Sequence, residues 1–334
     1  MESARLTDNR TCARASSRRR CPNSVDNLHY FTWNRTRGAA RRSVGKISSV
    51  VSVYDHKPAR LLTQLEPLTD ANPRCGTFCA GFELKSWRVD ALANHLMEWI
   101  ADYALIEDEL RVAHTEMYVR LKEAAARIYT SEKHQKRGEV GEIALHAICR
   151  DFFDTIPIAP RVFYLTASND VVKSFDMVHV RYVSDQGFEL WLGESKLYKS
   201  ADDAIVAAIE SVNTHIDQGF LKQQKLLLGP QISKSVPRYE EIRKLLSSEV
   251  SLNALFETAV FPVLIAADSE AVAAHEEHCP PYVAAASLEL EKLADRLVKS
   301  GLQQKIEIVL IYLPLGSKDA LVDAFDAKLK GLSA

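Results

Sequence analysis

The sequence lacks any apolar run of the ~18 residues that a membrane-spanning helix requires. Its longest apolar stretches, AVFPVLIAA and IEIVLIYLPL, have the length of buried strands. The N-terminus is polar and rich in arginine, unlike a secretory signal. These absences argue against a membrane protein and a secreted protein, and we expect a cytoplasmic location.

Paired cysteines and nucleotide-binding motifs are also missing. The six cysteines, at positions 12, 21, 75, 79, 149 and 279, form no CxxC pair, so we expect scattered free thiols in a reducing compartment. The chain contains no Walker-type GKS/T loop, no GxSxG elbow and no GxGxxG turn. An intrinsic ATPase, a hydrolase of the elbow type and a dinucleotide-binding protein therefore have no support.

Charge is unevenly distributed along the chain, although the formal net charge is only −2. Residues 1–46 contain eleven Arg or Lys and three acids, a net charge of +8, so the remainder carries about −10. Because non-specific affinity for nucleic acid comes mainly from lysine and arginine, the body of the protein is poorly suited to capture DNA unaided. Contact with DNA would need a local patch, a basic arm or a partner.

The arginine-rich segment 1–46 has no hydrophobic periodicity, and we interpret it as a disordered arm. A basic arm that binds nucleic acid is one alternative, and a mis-called start that translates upstream sequence is another. An organelle transit peptide is disfavoured because Glu2 and Asp8 lie where such peptides avoid acids.

The length of 334 residues leaves room for two domains after this arm. Residues 47–132 read as an α+β module that binds a partner, with strand-like stretches ISSVVSVY and TFCAGFEL ahead of long helices. Two helical stripes follow, with apolar residues three and four apart: Val89, Leu92, Leu96, Trp99, Ile100 and Tyr103, then Leu110, Met117, Leu121, Ala125 and Ile128.

Residues 133–334 show a second pattern, which begins with a helix from Gly138 to about Phe153. Three strands follow, RVFYLTAS, SFDMVHVRYV and FELWLGESKLY, and then a helix with Asp202 or Asp203 near its N-cap. Helices at 219–228, 238–248, 286–299 and 318–330 alternate with strands AVFPVLIAAD and 305–313. This order predicts an α/β (α+β) fold, a mixed sheet flanked by helices.

The stretch Phe188–Tyr198 carries the residues most indicative of chemistry. Side chains alternate across a strand, so Glu194 and Lys196 project to one face. If the strand that begins at Asp176 pairs alongside, two carboxylates and one ammonium meet there. Asp176 and Glu194, with the backbone carbonyl of Ser195, would then hold a hard divalent ion: Mg²⁺, with Mn²⁺ as a second possibility. Lys196 would position a water for phosphodiester hydrolysis.

An acid on the preceding helix could complete the set. Glu142 and Glu139 both lie at the margin of the apolar stripe of the helix that begins at Gly138, and Glu142 is our preferred site residue. Two acids in a first helical turn also suit the helix dipole without any function. Acid-x-Lys occurs elsewhere too, at Glu83/Lys85 and Asp326/Lys328, but without the flanking strands.

These residues carry a resemblance to a known family. RGEVGEIALHAI, VKSFDMVHV and LWLGESKLY, in that order, are similar to the HamA-type nuclease subunit of Hachiman anti-phage defence systems and to AbpA-related proteins, within the PD-(D/E)xK superfamily. The resemblance covers roughly residues 75–330. It implies a restriction-endonuclease-like fold, a Mg²⁺-dependent DNA endonuclease, and regulation by a superfamily 2 helicase subunit of the HamB type.

The family's catalytic residues correspond here to Glu142, Asp176, Glu194 and Lys196, and the resemblance implies that Asp176, Glu194 and Ser195 bind the metal. Two other functions stay open. The chain could be a non-catalytic adaptor that uses the same sheet to dock a partner, or a nucleic-acid-binding subunit of a helicase complex.

Deletion of residues 1–46 should leave the thermal unfolding midpoint unchanged, because this segment offers no apolar face to bury. The comparison is between the full chain and a chain that begins at residue 47, followed by circular dichroism. A clear fall in the midpoint would mean that the arm contains a folded element.

Overall fold

A seven-stranded mixed sheet lies at the centre of the protein. The structure is a computed structural model that describes residues 52–129, 138–159, 175–184 and 187–333. The arginine-rich arm and the predicted strand RVFYLTAS lie outside the described residues. Within them, no helix combines the length and the apolar character that crossing a bilayer requires.

The strands of the large sheet run in the order β1-β2-β9-β8-β7-β6-β5, and β3 and β4 form a separate hairpin. The strands are β1 (Thr63–Gln64), β2 (Arg74–Cys79), β3 (Phe82–Glu83), β4 (Ser86–Trp87), β5 (Ile156–Pro157), β6 (Met177–Ser184), β7 (Gly187–Tyr198), β8 (Ala259–Asp268) and β9 (Glu307–Leu315). The four central strands β2, β9, β8 and β7 are parallel, whereas the pairs at both edges are antiparallel.

Helices cover both faces of this sheet. They are α1 (Val89–Ala104), α2 (Glu107–Leu110), α3 (Met117–Tyr129), α4 (Gly138–Phe152), α5 (Ala201–His215), α6 (Gln218–Leu228), α7 (Tyr239–Leu245), α8 (Leu252–Thr258), α9 (Glu270–Ala273), α10 (Pro280–Ser300) and α11 (Lys318–Ser333). One hydrophobic core joins the sheet to α1, α3, α4 and α11, and a second joins the other face to α5, α6 and α10.

Strand β7 shows how the sequence divides between these two cores. Trp191 and Leu197 belong to the core on the α4 face, while Leu190 and Leu192 belong to the core on the α5 face. Alternation along a strand sends odd and even positions to opposite faces. Residues 193, 195 and 197 therefore face α4, and residues 192, 194 and 196 face α5.

Helix α4 approaches β7 closely because glycine occupies two contact points. A Cβ atom on Gly141 would lie 3.1 Å from Leu197 Cβ and 3.4 Å from Ser195 Oγ. A Cβ atom on Gly193 would lie 2.8 Å from Leu145 Cδ2 and 3.0 Å from Met177 Cβ. The absence of these two side chains lets the N-terminal half of α4 pack directly over the Glu-Ser-Lys segment of β7.

The predicted fold class is confirmed: the sheet is mixed and flanked by helices. Several details were wrong. The end of ISSVVSVY forms a 3₁₀ turn, Val53–Asp55, capped by Ser52, rather than a strand. The strand that we placed from Asp176 begins at Met177, and the N-cap of α5 is Ser200, whose hydroxyl accepts from the Asp203 amide.

The second helical stripe is interrupted as well. Helix α2 ends at Leu110, a 3₁₀ turn spans His114–Glu116, and α3 starts at Met117, which is 40 % exposed. Apolar spacing across residues 111–116 suggested one continuous helix because periodicity alone does not reveal a break in the backbone.

The predicted boundary between two domains near residue 132 lies outside the described residues and stays a prediction. The N-terminal half contributes β2 to the large sheet, where Arg74 to Thr77 pair in parallel with Val309 to Tyr312 of β9. The two halves of the sequence therefore share one sheet.

Gly193→Ala should lower the free energy of unfolding by about 1–3 kcal/mol, the usual cost of adding a methyl group to a tightly packed core. The matched control is Gly331→Ala in α11, where an added Cβ meets nothing within 4 Å and helix propensity favours alanine. Urea unfolding of both variants checks this. Equal stability of the two variants would contradict the close packing of α4 on β7.

Candidate active site

Glu194 and Lys196 lie on the α5 face of β7, as the alternation predicted. Both are held by a strand that pairs on one side with β8, where Glu194 is opposite Val263 and Lys196 is opposite Ile265. The Lys196 ammonium forms a short ion pair with Oε1 of Glu194. The Glu194 carboxylate is almost completely buried, with 3 % of the residue exposed.

The Glu194 carboxylate is ionised despite its burial. Burial raises the pKa of a carboxyl group, but the adjacent His215 imidazole and the Lys196 ammonium outweigh it and lower the pKa of Glu194 to about 2. An ionised carboxylate only accepts hydrogen bonds and is a ready ligand for a cation. Glu194 is therefore an anion over the whole physiological pH range.

Lys196 keeps its positive charge. Burial lowers the pKa of its ammonium, but the negative charge of Glu194 and, to a smaller extent, that of Asp176 raise the pKa above its ordinary value. A lysine that stays protonated can supply charge and donate hydrogen bonds, but it cannot act as a general base near neutral pH. The influence of Asp176 also shows that both carboxylates lie close enough to act on the same ammonium.

Asp176 lies at a bend directly before β6 and reaches across to β7. Its Oδ2 accepts hydrogen bonds from the backbone amide of Ser195 at 2.8 Å and from the Ser195 hydroxyl at 3.2 Å. The Asp176 amide donates to the carbonyl of Gly193 at 2.9 Å. The side chain is buried, with 8 % of the residue exposed. The structure thus places the Asp176 carboxylate against the residue between Glu194 and Lys196.

Ser195 presents its backbone to this end of the sheet. The register of β6 on β7 begins with Met177 opposite Gly193, so β7 runs on past the start of β6. In an extended strand the N–H and C=O of one residue point the same way. Since the Ser195 amide points to Asp176, its carbonyl is directed toward the same end, where the sequence predicted a metal ligand.

Glu142 is held by a tyrosine from another helix. Its Oε2 accepts a hydrogen bond from the hydroxyl of Tyr103 in α1 at 2.5 Å, and the residue is buried. Gly141, the preceding residue, packs on Ser195 and Leu197, so Glu142 lies beside the Glu-Ser-Lys segment on the α4 face. Glu139 is only half-buried, and this difference in burial favours Glu142 as the helical acid.

The donors in this region suit a hard divalent ion. Asp176 and Glu194 offer carboxylate oxygens, and Oε2 of Glu194 makes no hydrogen bond within the described part of the chain. No three His, Cys, Asp or Glu side chains among the described residues form a complete metal cage. Mg²⁺ is commonly held by one or two carboxylates, with waters and substrate phosphates completing its shell, and this partial set of ligands fits that manner of binding.

Sequence reasoning missed two residues at this site, His215 and Tyr103. His215 ends α5 and continues its buried stripe of Ala204, Ile205, Ala208 and Val212. A histidine on the apolar face of a helix is a recognisable signal, but nothing local shows that Glu194 is its neighbour. Tyr103 was included in the apolar stripe of α1, and only the packing of α1 against α4 shows that its hydroxyl contacts Glu142.

A second buried polar cluster lies behind α4 and braces the elements around the site. His179 of β6 lies between Thr155 Oγ1, at 2.8 Å from its Nδ1, and His146 Nδ1, at 3.1 Å from its Nε2. His146 Nε2 lies 2.8 Å from Asp102 Oδ1, and Arg150 donates to the same carboxylate. This chain of contacts ties β6, α4 and α1 together.

The fold and this site define an α+β protein with an ionised, buried glutamate paired to a lysine at the end of a mixed sheet. The family model of HamA matches residues 57–329, so the chain belongs to the HamA family. The family resemblance inferred from the three sequence stretches is thereby confirmed.

One curated relative extends this assignment. Anti-bacteriophage protein A of Escherichia coli strain K12 is 23 % identical over 124 residues. The match covers 37 % of this chain and 23 % of the relative, so the chain spans less than a quarter of that protein's length.

Acidification from pH 7.5 to 5.5 should destabilise the fold through the buried histidines. Burial lowers the pKa of His146 and places that of His179 well below the ordinary value of about 6.5, so both stay neutral when folded. Unfolded chains take up these protons below about pH 6.5, which favours unfolding by up to ~1.4 kcal/mol per pH unit for each histidine. Urea unfolding across this range measures the slope.

His179→Gln removes one of the two proton-binding groups and should flatten that slope, whatever its effect at pH 7.5. His114→Gln is the matched control, because His114 is exposed and should leave the slope unchanged. A stability that is constant between pH 7.5 and 5.5 would contradict the neutral state of the buried pair.

Proposed function

We propose that this chain is a metal-dependent nuclease, a DNA endonuclease, that acts in anti-phage defence under the control of a superfamily 2 helicase. The observation that carries the proposal is the approach of Asp176 to Ser195, between the ion-paired Glu194 and Lys196. Membership of the HamA family and the name of the curated relative, an anti-bacteriophage protein, support the defensive role.

The residues correspond to the steps of phosphodiester hydrolysis. Asp176, Glu194 and the Ser195 carbonyl would hold Mg²⁺, which when bound lowers the pKa of water and neutralises charge on the phosphate. The ionised state of Glu194 supports this role, because a ligand that must first lose a proton binds a cation less well. The Asp176 carboxylate is oriented by two hydrogen bonds from Ser195, which limits its motion.

Lys196 would supply fixed positive charge. Because its pKa is raised, its ammonium donates to the attacking water or to a phosphate oxygen rather than accepting a proton. Charge that is already positioned in a buried site stabilises the developing negative charge more than a solvated lysine would.

Glu142 would act from the α4 face. The Tyr103 hydroxyl donates to one of its carboxylate oxygens and fixes the side chain beside Ser195. We propose that Glu142 orients a water or a further ligand of the ion, with Tyr103 as a positioning residue.

A helicase partner of the HamB type would supply what this chain lacks in sequence. The chain contains no Walker-type motif, and residues outside 1–46 carry a net charge of about −10. Capture of DNA by this body is therefore unfavourable, since phosphate neutralisation by Lys and Arg dominates non-specific affinity. We propose that the partner hydrolyses ATP and delivers DNA, and that the isolated chain cuts DNA weakly.

Lys196→Gln should reduce cutting by about 10²–10³-fold, the usual cost of removing one group that stabilises transition-state charge. The assay combines the chain with the superfamily 2 helicase encoded beside it, ATP, Mg²⁺ and plasmid DNA. The matched control is Lys85→Gln, which removes an exposed lysine from another acid-x-Lys sequence and should cut at the wild-type rate. EDTA should abolish wild-type cutting.

Each outcome of this assay separates the proposed functions. Cutting by Lys196→Gln at the wild-type rate would place the catalytic site elsewhere. Rapid cutting by the isolated chain would remove the need for a helicase. Protection of cells against phage by a chain with Asp176, Glu194 and Lys196 all changed to alanine would favour a non-catalytic adaptor.

A further inference from the structure

His215 and Glu194 face each other inside the protein. Nδ1 of His215 lies 3.2 Å from Oε2 of Glu194, and each residue is only 3 % exposed. The distance permits an ion pair, but the angles do not make a hydrogen bond, and within the described residues neither atom has another hydrogen-bond partner. Buried polar atoms without partners are uncommon and costly, so this pair requires an explanation.

The orientation of both side chains is fixed by their neighbours. The His215 ring stacks on Phe220 at an interplanar angle of 22°, with ring centroids 4.8 Å apart, and Phe175 contacts it from another side, also at 4.8 Å. On Glu194, the Lys196 ammonium occupies Oε1. Oε2 is therefore the oxygen left for another ligand, and the aromatic contacts hold the imidazole beside it.

The separation of the two atoms is that of two ligands of one ion. With metal–ligand distances of about 2.1 Å, adjacent ligand atoms lie about 3.0 Å apart in octahedral and about 3.4 Å apart in tetrahedral coordination. The observed 3.2 Å lies between these values. A cation could be accepted here without a large movement of either side chain.

We propose that His215 is a metal ligand, and that with Glu194 it makes the site favour Mn²⁺ over Mg²⁺. Imidazole nitrogen binds first-row transition ions well and Mg²⁺ poorly, whereas carboxylate oxygens accept both. Asp176 and the Ser195 carbonyl would add oxygen ligands. The inference deepens the proposed nuclease function and rests on it only for the use to which the ion is put.

The test measures Mn²⁺ bound to the full chain without DNA or helicase. Electron paramagnetic resonance follows the loss of the free-ion signal to give the Kd, and electron spin-echo modulation detects nitrogen bonded to the ion. Wild-type protein should show histidine nitrogen coupling. His215→Gln should abolish the coupling and raise the Mn²⁺ Kd at least about tenfold, since even residues behind the ligands change affinity by about 10–100-fold.

Two further variants guard against misfolding and stray sites. His215→Asn can place an amide oxygen near the position of Nδ1, so it should bind Mn²⁺ without nitrogen coupling and with less preference over Mg²⁺ in competition. His275→Gln removes a histidine that lies elsewhere, against the Ala271 carbonyl, and should behave as wild type. Thermal unfolding of each variant confirms that it is folded.

Several results would overturn the inference: absence of Mn²⁺ binding, binding without nitrogen coupling in the wild type, or coupling that persists in His215→Gln. In these cases His215 is a charge partner of Glu194. Nuclease activity with Mg²⁺ in the absence of coupling would retain the proposed function and reject the His215 ligand. Nitrogen coupling in a chain whose helicase complex cuts no DNA would do the reverse.

Discussion

Burial of the Glu194 carboxylate is the constraint on which the site depends. A buried charge is costly unless opposite charges and hydrogen-bond donors compensate for it. Lys196, two residues along the same strand face, and His215, from the end of α5, both lie against it. Because the two partners come from different elements, β7 and α5 must hold their relative positions for the glutamate to stay ionised. Removal of one partner would leave an uncompensated charge.

The second condition is the end of β6. Strand β7 extends beyond the first residue of β6, and the backbone of Ser195 is left facing Asp176 instead of a paired strand. On the other face, Gly141 and Gly193 allow α4 to lie directly over this segment. The buried contacts of His179, His146 and Asp102 then link β6, α4 and α1. Backbone pairing, close helix packing and a buried polar cluster thus converge on three consecutive residues of β7.

The sequence predicted those features that depend on local periodicity. Alternation placed Glu194 and Lys196 on one face, and helical spacing located α1 and α4 nearly to the residue. Features that depend on tertiary contacts were not predictable. His215 and Tyr103 read as apolar-face residues until the packing of α5 and α1 showed their carboxylate partners. The start of β6 at Met177 was missed because the bend at Asp176 is fixed by its bonds to Ser195 and Gly193, not by residue preference.

The central claim is that Asp176 and Glu194 share one divalent ion. The most direct measurement is an anomalous diffraction map from crystals of the full chain grown with Mn²⁺, recorded at the manganese absorption edge. The account predicts one strong peak about 2.0–2.6 Å from a carboxylate oxygen of each residue. A peak at another place, or a well-ordered site with both carboxylates fully paired to protein groups and no peak, would contradict it.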